Sequence, residues 1–149
     1  MDRPFVEENA KERERLRSLV GRLTDKELIL PMKDGWTIAA ALAHLAFWDQ
    51  RSLILMQKWK TDGVAPSPID MDVTNDSLLP LWLALEPRVA ANLAVSSADA
   101  IDREIEESPP EFIAAIETLG ERFRLYRSDH RKQHLDHIEE LLKNKTIRT

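Results

Sequence analysis

The run Ile38-Ala39-Ala40-Ala41-Leu42-Ala43-His44-Leu45-Ala46-Phe47-Trp48 constrains the fold more than any other stretch, because coiled as a helix it has almost no polar face. A helix that is apolar all round has to be surrounded by protein. The rest of the chain must therefore supply helices to wrap it. Thr37 just before the run is a natural N-cap, and the helix it opens reads to about Lys60. A single polar residue, His44, stands inside the apolar stretch.

The wrapping elements follow from spacing and breakers. Phe5, Leu16, Leu19, Val20 and Leu23 form a narrow apolar stripe among charges, which predicts a helix from Pro4 to about Arg22, with Pro4 in its first turn. The connector TDKELILPMKDG carries the breakers Pro31 and Gly35. Beyond Gly63, Pro66 and Pro68, Thr74 or Asn75 is expected to cap a third helix with Pro80 in its first turns. Pro87 is expected to kink that helix near Leu85 or Glu86 before it resumes toward Glu107. Ser108-Pro109-Pro110 then breaks the chain, and a last helix is expected from Pro110 to about Lys143. Strict apolar–polar alternation persists nowhere, so no strand is expected. Four long helices around one core predict an all-α fold, a four-helix bundle of antiparallel type. At 149 residues a single domain over 1–149 suffices.

Composition removes several functional classes. With no cysteine, any metal must be held by histidine and oxygen. Only four glycines are present, and neither a phosphate loop nor a dinucleotide fingerprint occurs. The formal net charge is −5, and lysines and arginines are interleaved with acids, which argues against nucleic acid. The N-terminus MDRPFVEENAKERER lacks the apolar core of a signal peptide and no segment reads as membrane-spanning, so a cytoplasmic protein is expected.

Three of the four histidines fall in the stretch DHRKQHLDHIEE, residues 129–140. Followed at three-and-four spacing, the inward seam of the last helix runs through Phe112, Ile116, Leu119, Phe123 and Tyr126 and lands on His130, His134 and His137. Burying imidazoles costs free energy, on the order of a few kcal/mol each, unless the ring nitrogens find partners. A cation shared among them removes that cost. Histidines at i and i+4 project the same way, so His130 and His134 can face one ion at roughly 2.0–2.1 Å. A third ligand must come from another helix, and His44 is the one remaining histidine. Taken alone, His44 would read as a core imidazole bonded to a backbone carbonyl. His137 lies one turn further along and is either a further ligand or a supporting or surface residue.

The segments GWTIAAALAHLAFWDQR and DHRKQHLDHI together resemble the DinB/YfiT superfamily, over about Glu7 to Leu142. The resemblance implies a four-helix bundle, usually dimeric, whose metal is held by one histidine of the second helix and an H-x-x-x-H pair of the last. Matched to this chain, those ligands are His44, His130 and His134. At His137 many relatives carry a glutamine, and there this chain departs from the pattern.

Three neutral histidines around a divalent ion leave a coordination position open, as in catalytic zinc sites. Zinc is the first expectation, and nickel, iron and manganese suit the same ligands. The family resemblance implies a hydrolase, or a transferase or isomerase that uses a low-molecular-weight thiol with a small-molecule substrate, and a homodimer. The sequence LLPLWLALEP suits a dimer interface and a core equally. Tyr126 as a proton donor, and Trp48 and Arg51 as groups shaping or charging the pocket, are candidate helpers. The competing expectation is non-catalytic, with the histidine cluster bracing helices in a stress-associated binding or interaction module. Structural sites close all four metal positions, so a fourth ligand such as His137 would favour the brace.

Overall fold

Local signals set where the helices begin. The computed structural model describes residues 3–148, and α1 spans Pro4–Arg22 with its proline in the first turn. In the expected connector, Thr24 and Glu27 form a capping box that starts a short α2, Asp25–Leu28. The chain then turns through a 3-10 segment in which Asp34 and Gly35 take positive φ, before α3 begins as anticipated at Ile38. The Thr37 hydroxyl oxygen accepts from the Ala40 amide at 3.0 Å, and α3 runs to Asp62.

The later boundaries differ from the expectations. The cap of α4, Met71–Ala84, is Asp70, whose carboxylate accepts from the Val73 amide at 3.1 Å. Pro80 consequently lies inside α4 rather than in its first turns. Pro87 does not kink a continuous helix. The chain breaks at Leu85 and Glu86, the Glu86 carboxylate accepts from the amides of Arg88 and Val89, and Pro87 becomes the first residue of α5, Pro87–Glu107. The expected last helix is also two: α6, Pro110–Glu117, and α7, Arg127–Arg148. Gly120 at φ +61 and a second 3-10 turn separate them, since a left-handed residue ends a helix.

The all-α expectation holds, and no strand occurs among the described residues. The four long helices α1, α3, α5 and α7 pack on one another: α3 against α5 most extensively, α1 against α5 and α7, and α3 against α7. Alanines make the α3–α5 seam. Ala39, Ala40, Ala41 and Ala43 pack with Ala90, Ala91, Ala94 and Ala98 in one buried cluster that also holds Leu16, Leu42, Trp82, Leu135 and Ile138. A second cluster gathers Phe5, Met56, Trp59, Ile101, Ile105, Ile113, Ile116 and Phe123. Along the chain, α1 passes from the second cluster to the first, whereas α3 and α5 pass from the first to the second.

Between the two clusters every long helix contributes buried polar side chains: Asn9 and Glu12 from α1, Asp49 and Ser52 from α3, Asp102 from α5, Arg127 and Arg131 from α7. Arg131 is 0% exposed and donates to Asp102 twice at 2.8 Å, to Asp49 at 3.2 Å and to the Asn9 carbonyl at 3.1 Å. Arg127 donates to the other oxygen of Asp49 at 2.9 Å, and Arg13 to Asp102 at 3.0 Å. Buried charges persist only when paired and hydrogen-bonded in this way. The layer therefore ties the register of α7 to those of α1, α3 and α5.

No helix among the described residues is long and apolar enough to cross a membrane. Within LLPLWLALEP, Trp82 is buried and Leu78, Leu79 and Leu85 pack on the core, while Leu81 and Leu83 are exposed.

Candidate metal centre

The phase of α7 decides where its histidines go. Its buried positions are Arg127, Ser128, Arg131, Leu135 and Ile138, one residue further on than the seam extrapolated from α6. The break at Gly120 resets the helical phase, so His130 and His134 do not replace core hydrophobes. They lie half-buried on the flank of the core stripe, and His137 is exposed. The i, i+4 pairing of His130 and His134 does not depend on that phase.

His44 is buried in α3 and meets this flank. Its Nε2 lies 2.8 Å from Nε2 of His130. The ring centroids of His44 and His134 are 4.7 Å apart, and those of His130 and His134 are 4.8 Å apart. One ligand nitrogen from each of the three lies within 4.8 Å of the others, a group that could hold a divalent metal ion. Nitrogens bound about 2.1 Å from one ion at tetrahedral angles sit about 3.4 Å apart, so the His44 and His130 rings at 2.8 Å would have to part by roughly half an ångström to hold one. His137 is outside the group, with its ring 6.4 Å from that of His134.

Three tryptophans shape the surroundings of His44. The rings of Trp36 and Trp82 stand edge-on at 5.3 Å each, and Trp48 at 6.5 Å. Trp48 is held by its indole N–H, which donates to the Asn75 side-chain oxygen at 2.9 Å, so α4 closes over α3 here. Burial, followed by the neighbouring His134, pushes the pKa of His44 down to about 4. Burial, followed by His137, pushes His134 down to about 4, and burial also drives His130 far below the usual imidazole range. All three are neutral at pH 7, the form that ligates metal. Nδ1 of His44 is buried with no hydrogen-bond partner, and a ring nitrogen faces a ring nitrogen. The facing Nε2 atoms suit a cation, which would accept a lone pair from each in place of a contact between two ring nitrogens.

The cluster forms part of the wall of a cavity of about 670 Å³. Trp48, Arg51 and Tyr126 line the same cavity. Tyr126 is not on an inward seam: it precedes α7, is 38% exposed and stands edge-on to Phe5 at 5.9 Å. Asp49, Asp102, Arg127 and Arg131, which the histidine spacing does not mark, form the ion-pair layer beneath the group. Arg131 lies between His130 and His134 on α7 and anchors the helix that carries both.

A helical chain with one histidine on α3 and an H-x-x-x-H pair on α7 defines a class of bundles with a three-histidine group. The chain belongs to the DinB superfamily, whose family model matches residues 8–138. No curated protein and no solved structure matches it significantly.

Proposed function

We propose that the protein is a metal-dependent enzyme acting on a small molecule in the cavity, as a hydrolase or as a transferase or isomerase that uses a low-molecular-weight thiol. The observation that carries this reading is the position of the three neutral histidines on the wall of an open cavity, with the fourth histidine outside the group. A bracing site would call for a fourth protein ligand, and His137 stands outside the group with its ring 6.4 Å from that of His134. When bound, a divalent ion supplies Lewis acidity and lowers the pKa of a water or thiol ligand toward neutrality.

The chain's own residues orient and enclose. His44, His130 and His134 would hold the ion, zinc first and nickel, iron or manganese as the other candidates. Trp36 and Trp82 exclude water from the His44 side, and Tyr126 and Arg51 offer polar groups to a ligand from the cavity wall. Leu81, Leu83, Val89 and Leu93 are exposed on α4 and α5, which suits the homodimer that this reading includes.

The test is activity toward ester, amide and thiol-conjugate substrates, assayed with zinc-loaded and with chelated protein. Turnover that chelation abolishes and metal restores supports the proposal. Uniform inactivity of protein that retains its ion supports the brace.

A further inference from the structure

Arg51 sits on α3 beyond Trp48 and lines the same cavity as His44. Its guanidinium is half-buried, yet no carboxylate among the described residues pairs with it. Nη2 donates to the carbonyl oxygen and the hydroxyl of Ser67, at 2.9 and 3.1 Å, and these are neutral partners that fix the head group in place. Nε and Nη1 remain available. Burial, and then the charge of Arg127, push the Arg51 pKa below its ordinary value. Arg127 itself is neutralised by Asp49 at 2.9 Å. Asp72, Glu121 and Asp129 also line the cavity, but none forms an ion pair with Arg51, while Lys33, Arg122 and Arg124 add positive charge to the wall. A half-buried cation without a counter-charge, presented to a cavity, is well placed to take an anion.

We propose that Arg51 is the anion anchor of the cavity, so that the small molecule taken there is an organic carboxylate whose other end reaches the three-histidine group. His44 and Arg51 are seven residues apart, about 10 Å along the helix. Trp48 lies between them on the same face and offers an apolar surface for the middle of such a molecule. The guanidinium matches a carboxylate better than an ammonium would, through its planar array of donors. This inference deepens the proposed function and rests on its small-molecule reading of the cavity.

The experiment titrates the full chain, zinc-loaded and metal-free, with 3-phenylpropionate and with its neutral counterpart 3-phenylpropionamide, following the arginine side-chain N–H resonances by NMR. The carboxylate is expected to bind at least about tenfold more tightly than the amide, with the largest shift at Arg51. Arg51→Gln should erase that preference, and an unchanged far-UV circular dichroism spectrum and urea midpoint show that the variant is folded. Arg124→Gln should keep the preference. Equal binding of the two probes by the unaltered protein, absence of carboxylate binding, or a preference that survives Arg51→Gln overturns the proposal. Failure of the metal reading would show differently, as no zinc retained while the carboxylate preference of the metal-free protein persists.

Discussion

Asp102→Asn is the sharpest test of the buried charge layer. Asp102 is 2% exposed, and both of its oxygens accept from Arg131 at 2.8 Å, one of them also from Arg13 at 3.0 Å. Asparagine keeps the shape but removes the charge and turns an N–H donor toward a guanidinium. Arg131, 0% exposed, would then depend on Asp49, which Arg127 already engages. Breaking a buried pair by neutralising one member costs about 3–5 kcal/mol. The surviving Asp49 contact places this case near the lower end, about 3 kcal/mol. For a chain of this size that is a fall in Tm on the order of 10 °C. Asp25→Asn is the control, because Asp25 pairs with Arg88 at 2.9 Å with its own side chain 87% exposed. Such a surface pair is worth about 0–1 kcal/mol. Urea unfolding followed by far-UV circular dichroism measures both. A cost for Asp102→Asn below about 1 kcal/mol, indistinguishable from the control, would refute the claim that this layer holds the register of α7.

Two further outcomes follow from the same structure. The folded chain holds His44 and His134 with pKa values of about 4, whereas the unfolded chain has them near the ordinary 6.5. Between those values the unfolded state binds more protons, so the stability of metal-free protein should fall as pH drops from about 6.5 to about 4; a flat urea midpoint across that window would contradict the burial of neutral imidazoles. Thr37→Ala removes the acceptor for the Ala40 amide and should cost about 1 kcal/mol in urea unfolding; no loss would show that the cap contributes nothing to α3.

Features carried by neighbouring residues were readable from sequence. Thr37 before an apolar run, and Pro4 at the start of α1, are local signals, and both helices begin where those signals lie. The cap of α4 was harder, because Asp70, Asp72, Thr74 and Asn75 are all competent within six positions, and the one that caps is Asp70. Pro87 admits two readings, a kink or a first helical residue, and the Glu86 carboxylate tips it to the second. The three histidines were found through a seam that the break at Gly120 interrupts, and they came together because helical i, i+4 spacing survives the change of phase. The charge layer was missed because its partners are far apart in the chain, 29 residues for Arg131–Asp102 and 82 for Arg131–Asp49. A usable signal was present in α3, where Leu45, Asp49, Ser52, Met56 and Trp59 keep the buried period without interruption. An aspartate in that register needs a buried cation.

The central claim is that imidazoles from α3 and α7 share one ion. Zinc content per chain, measured by elemental analysis after dialysis of the purified protein and of its His44→Ala, His130→Ala, His134→Ala and His137→Ala variants, tests it most directly. The account predicts about one equivalent in the unaltered protein and in His137→Ala, and loss of the ion in the other three. Full retention in any of those three, or no zinc in the unaltered chain, would contradict it.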